Sequence, residues 1–219
     1  MRLRTVFAAA ALAVLGSTSH ALAQDKEPEP VQAIWKPQEF TFYYQSFTTF
    51  YSCESLEAKL EQILRLVGAH AEVRVREVDC GRGPVRAPRA EIRLISPVEA
   101  TPEAIAEVKK DASKRELVAR ISGERAKAVD LAEQFPAQWK QVTIGQGRAT
   151  SSLGSGDCEL LEQVRRRILP KLAVRVIKDN TPCPPNPGTL TRPSIVVEAL
   201  IEVPKPDDVG KQRDTKKTD

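Results

Sequence analysis

Only two histidines, His20 and His70, occur in the 219 residues, and His20 lies in a leader expected to be removed. One imidazole is then left for base-assisted chemistry, in the turn Gly68-Ala69-His70-Ala71. No serine or cysteine stands in a nucleophile motif, which disfavours acyl transfer through a serine–histidine or cysteine–histidine pair. Zinc sites want clustered His and Cys at short spacing, and no such cluster exists. The absence of a CxxC pair removes the usual basis of thiol–disulfide exchange. Past the leader no stretch approaches the roughly 20 apolar residues that span a bilayer. A concentrated basic stripe is missing too: the formal charge is +4, or +2 without Arg2 and Arg4, which argues against a nucleic-acid partner. No cofactor and no metal are expected.

The first 23 residues combine a basic start, an apolar run from Val6 to Leu15 and the small-residue ending Ala21-Leu22-Ala23, the pattern of a secretory signal cut before Gln24. No cysteine sits at the cut to accept lipid. The alanine-rich leader points to a bacterial chain that is periplasmic or secreted, where cysteines persist as disulfides. Residues 24–38, rich in proline and charge, read as a flexible linker, and residues 204–219 as a disordered tail. About 165 residues remain, enough for one sizeable core or two small ones.

The four cysteines form two matching pairs: Cys53 and Cys80 enclose 26 residues, Cys158 and Cys183 enclose 24. In the first half Leu56, Leu60, Ile63, Leu64 and Val67 line one face of a helix. In the second, Leu161, Val164, Ile168, Leu169 and Leu172 do the same. A shift of 105 residues superposes Cys53-Glu54 on Cys158-Glu159, and Ser52 on Asp157, both able to cap a helix start. Pro170 is expected to stop or kink the second helix. Each helix is followed by a strand with the same tripeptide, Val73-Arg74-Val75 or Val174-Arg175-Val176, and then by a second strand, Glu91 to Ile95 or Ile195 to Ile201. Strands at Phe40 to Phe50 and Trp139 to Ile144 precede the helices.

A strand that follows a helix through a tight turn runs back along it. A helix of about 15 residues and a strand of about 7 are both roughly 22 Å long, so Cys53 can reach Cys80 and Cys158 can reach Cys183. Of the three pairings open to four cysteines, the within-half one is favoured over cross-half bridges and over free or metal-bound thiols. The fold class expected is α+β: a tandem pseudo-repeat of two β-α-β-β units, each with a helix packed on a small sheet and one internal disulfide. The boundaries are 39–100 and 137–203. Between them lies a helical connector, 101–136, opened by Thr101-Pro102-Glu103 and helical to about Ala112. Residues 115–122 suit either helix or strand, and a further helix is expected over 124–134. The order of elements is similar to that of ferredoxin-like halves, a topological likeness that carries no activity.

The aromatic residues are unevenly spread: seven of eleven fall in Phe40 to Tyr51. Alternation sets Phe40, Phe42 and Tyr44 on one face and Tyr43 on the other. Core packing is the commoner use of such rings; a ring-lined surface is the functional alternative, with Phe42, Tyr43, Tyr44, Phe47 and Tyr51 as candidate binding residues. Glu54, Glu57 and Glu61 fill the polar side of the first helix, and paired carboxylates for glycoside cleavage have no sequence support. The loop GQGRATSSLGSGD (145–157) lacks the GxxxxGK[ST] phosphate pattern and ends in the competing charge of Asp157, so it reads as a connector. Arg165, Arg166, Arg167 and Lys171 read as solvated decoration, with an acidic partner or anionic lipid as the alternative.

These features favour a non-catalytic exported protein that binds an envelope protein, peptide or glycan through the aromatic strand or a sheet edge. An envelope hydrolase built on surface carboxylates or a serine, and a structural or stress-protective protein, are the rivals. Oligomeric state has no signal in the sequence.

Overall fold

The computed structural model describes residues 29–77, 80–122, 131, 133–145, 153–181 and 192–204. Strands β1 (Val31–Tyr43), β2 (His70–Arg76), β3 (Arg89–Glu99), β4 (Phe135–Ile144), β5 (Val174–Asn180) and β6 (Ser194–Glu202) make one antiparallel sheet in the order β2-β3-β1-β4-β6-β5. Helices α1 (Cys53–Leu66), α2 (Pro102–Ser122) and α3 (Cys158–Arg167) complete the α+β fold.

The apolar stripes do what their spacing predicts. Leu56, Leu60, Ile63 and Leu64 of α1, and Leu161, Val164 and the following Ile168 on the α3 side, are fully buried in one cluster with Ile92, Ile144, Ile195 and Val197 of the sheet. Each such side chain contributes about 1.5–3 kcal/mol of burial. α1 and α3 therefore share a single core. α3 ends at Arg167 and passes into a short 3₁₀ turn, Leu169–Lys171, around Pro170, because the ring denies the helix a donor. α2 extends ten residues past Ala112 and takes in 115–122; Thr101 Oγ1 accepts from Ala104 N–H at its start. The helix expected over 124–134 lies outside the described residues, apart from single positions near its end.

Strand boundaries move from those expected. β1 begins at Val31 and stops at Tyr43, so residues 31–38 are strand and 44–50 are loop. Proline misled the reading. Pro37 pairs with Ile95 of β3 on one side, while β4 meets β1 only at Val31 to Ala33, so the missing N–H of Pro37 costs no ladder bond. β4 likewise starts at Phe135, four residues before Trp139, and contains Pro136. β3 runs past Ile95 to Glu99 through Pro97, beyond the reach of β2.

Cys53, at the head of α1, is bonded to Cys80 beyond the end of β2, with Cα atoms 5.6 Å apart. The expected Cys158–Cys183 bridge falls on a residue outside the described ones; no described cysteine is free. Two glycines seat the helices. Gly68, at φ +82°, ends α1 where a Cβ would meet Leu200 O at 2.8 Å, and Gly145, at φ +96°, ends β4 where a Cβ would collide with Pro193 O.

Candidate functional site

The chain between Tyr43 and Tyr51 separates its rings by face. Phe42, Tyr44 and Tyr51 are buried in the core and cannot meet a partner. Tyr43 is 54% exposed, Phe47 79% and Phe50 41%. A five-ring surface thus does not form; three rings, one of them unexpected, stand out at the end of β1 and on the loop that follows it.

The backbone of this loop is held by α3. Glu159, Gln163 and Arg167 recur every four residues and so share one helix face. The Glu159 carboxylate accepts from the N–H of Phe47 at 3.1 Å, Thr48 at 3.0 Å and Thr49 at 3.4 Å, and from the Thr48 hydroxyl at 2.9 Å. Successive N–H groups turned toward one point form an anion-binding nest, filled here by the protein's own carboxylate. Gln163 accepts from Gln45 N–H at 3.0 Å and donates to Gln45 O at 2.7 Å. Arg167 donates to Tyr43 O at 2.8 Å.

Behind the loop lies a second polar cluster. Asp157, expected to cap α3, makes no side-chain cap. Its carboxylate instead accepts from the Tyr51 hydroxyl, from Lys59 Nζ at 3.0 Å and from Gly154 N–H at 2.6 Å. Tyr44 OH donates to Thr49 O at 2.8 Å and sits 3.5 Å from Glu159. Burial raises the pKa of both tyrosines, reinforced for Tyr44 by the charge of Glu159 and for Tyr51 by its bond to Asp157. Burial also opposes charge on Glu159, but the N–H groups of Phe47 and Thr48, the Thr48 hydroxyl and Thr49 N–H outweigh it and hold the carboxyl below its usual range. Ser52 does cap α1, accepting from Ser55 N–H at 3.2 Å.

The other sequence candidates have ordinary surroundings. His70 is exposed and packs against Trp35, ring centroids 5.0 Å apart, with Phe135 stacked on the far side of Trp35 at 4.7 Å. The described part of the glycine-serine loop turns its Gly154 N–H into Asp157 rather than toward an outside anion. Arg165 pairs with Asp179 at 2.8 Å, Arg166 with Glu162, and Lys171 lies over the Phe40 ring, so these bases are engaged within the chain. Among the described residues no group of three or more His, Cys, Asp or Glu side chains could hold a metal ion, and no helix is long and apolar enough to cross a membrane.

Sequence reasoning missed Phe50 and the joint hold of Glu159, Gln163 and Arg167 on the loop, reading Arg167 only as part of a basic surface. Their regular spacing on the polar side of α3 was the available signal. What the arrangement offers chemically is an apolar, aromatic contact on a backbone fixed before any partner arrives, bordered by the Arg86 guanidinium 5.9 Å from the Phe50 ring. No family model, no curated protein and no solved structure matches this chain.

Proposed function

We propose that this chain is an exported, non-catalytic protein of the bacterial periplasm or exterior that binds a macromolecular partner in the envelope through Tyr43, Phe47 and Phe50. The observation that carries this reading is Phe47, the most exposed large apolar side chain among the described residues, on a loop whose three consecutive N–H groups are tied to buried Glu159. Solvent-facing rings cost a protein solubility unless they are covered. Their rigid support lowers the ordering cost of covering them, and aromatic anchors dominate binding energy at protein interfaces.

We also infer that the chain is a duplicated β-α-β-β unit carrying a second bridge, Cys158–Cys183, after removal of residues 1–23. The matched order β1-α1-β2-β3 and β4-α3-β5-β6 supports duplication, as do mirrored strand positions about the β1–β4 contact. The Cys53–Cys80 bond is compatible with an oxidising compartment.

The test is affinity capture from envelope extract by the mature protein, compared with Phe47→Ala and Tyr43→Ala proteins of unchanged melting temperature. A partner retained by the parent and lost with Phe47→Ala supports the proposal. Equal retention by all three proteins removes it.

A further inference from the structure

Among the described residues the outer strands β2 and β5 each have a strand neighbour on one side only, yet the two edges are finished differently. On β2, Val73 N–H donates to Glu61 at 3.1 Å and Val75 N–H to Glu57 at 2.7 Å, so α1 occupies the donors that another strand would need. The residues 105 positions later on α3 are Glu162 and Arg166, and they pair with each other instead. Among the described residues no side chain accepts from the backbone of β5 between Arg175 and Asn180. Every one of those six residues is exposed, Val176 by 44% and Ile177 by 54%. Among the described residues this edge leaves donors, acceptors and the side chains of Val176 and Ile177 open, a template for another strand, while its bulge and the charges of Arg175 and Lys178 narrow which strand it admits.

Charge indicates what kind. β5 is irregular between Val176 and Lys178: Arg175 pairs with Glu198 and Lys178 with Val196, two residues apart on β6. The extra residue, Ile177, therefore brings Arg175 and Lys178 onto the same face, the one away from the shared core, where Arg175 also lies 4.1 Å over the Trp139 ring. An antiparallel second copy would set these two cations opposite their own kind, which is unfavourable. Arg175 already meets the Glu198 carboxylate of β6 at 3.9 Å, and a strand with carboxylates on that face would add to this and complement Lys178, with Val176 and Ile177 available for its apolar residues.

We propose that the free edge of β5 takes up an extended acidic segment of a partner protein as a seventh strand. This surface is separate from the aromatic loop and does not depend on it.

The probe is a labelled ten-residue peptide alternating glutamate and valine, titrated into the full mature protein by fluorescence anisotropy. Two control peptides carry lysine in place of glutamate, or a central proline. The expected result is saturable binding of the acidic peptide alone, with slowed hydrogen exchange at the amides of 174–180. Lys178→Glu, an exposed change checked by an unaltered thermal melt, should weaken binding about tenfold, and Phe47→Ala should leave it unchanged. Absent binding, equal binding of the lysine peptide, or protection at other strands would overturn the proposal. Protection of 174–180 that grows with protein concentration in the absence of peptide would also overturn it, assigning the edge to a second copy.

Discussion

Glu159 has been drawn into the interior with no cationic partner among the described residues; backbone amides replace water around it. Its removal leaves donors of Phe47, Thr48 and Thr49 without acceptors, so Glu159→Ala should cost about 2–3 kcal/mol in chemical denaturation. The same carboxyl makes folding sensitive to acid. Its folded pKa lies below that of the unfolded chain, so its contribution is complete above the ordinary glutamate range, about 4.3, and is lost as pH falls through the lower folded value. Melting temperature should therefore fall on acidification less steeply for Glu159→Gln than for the parent. Tyr51→Phe should cost about 1–2 kcal/mol, because Asp157 keeps Lys59 and Gly154 N–H but loses its hydroxyl donor.

At the level of elements, the bond between Cys53 and Cys80 closes a loop of 27 residues from the head of α1 to the far side of β2. The chain-entropy argument gives about 3.5 kcal/mol for a loop of this size. A Cys53→Ala, Cys80→Ala double variant should lose stability of that order, read from the denaturant midpoint. Helices were the most legible elements in the sequence: Leu56, Leu60, Ile63 and Leu64 announce their face by period alone. Strand ends were less so, since Pro37 and Pro136 break a pattern that the real sheet tolerates: Pro37 lies where β4 no longer flanks β1, and Pro136 stands one residue before the β4–β6 ladder begins at Ala137. The aromatic segment was half legible. Alternation separated the face of Phe42 and Tyr44 from that of Tyr43 without saying which is buried, and it stops informing once the strand stops, so Phe47, Phe50 and Tyr51 are placed by the loop. The hold of Glu159, Gln163 and Arg167 on residues more than 100 positions away is long-range, and period cannot report it.

Over the whole molecule, the sheet has its β2 edge sealed by glutamates, while among the described residues nothing seals the β5 edge in the same way. A Glu57→Ala, Glu61→Ala double variant should unmask the Val73 and Val75 donors of β2. Self-association at micromolar concentration, followed by sedimentation velocity, is the expected outcome, with the parent unchanged under the same conditions.

The grip of α3 on the Tyr43–Thr49 backbone crosses from the end of the chain to its beginning. A fragment containing only the first hundred residues would keep the bonds from Tyr44 and Ser46 to Pro88 and Arg86, yet the N–H groups of Phe47, Thr48 and Thr49 would lack their acceptor until α3 is made. Under the proposed function, display of Phe47 would thus be gated by completion of the polypeptide, since its backbone takes its final shape only on the finished molecule.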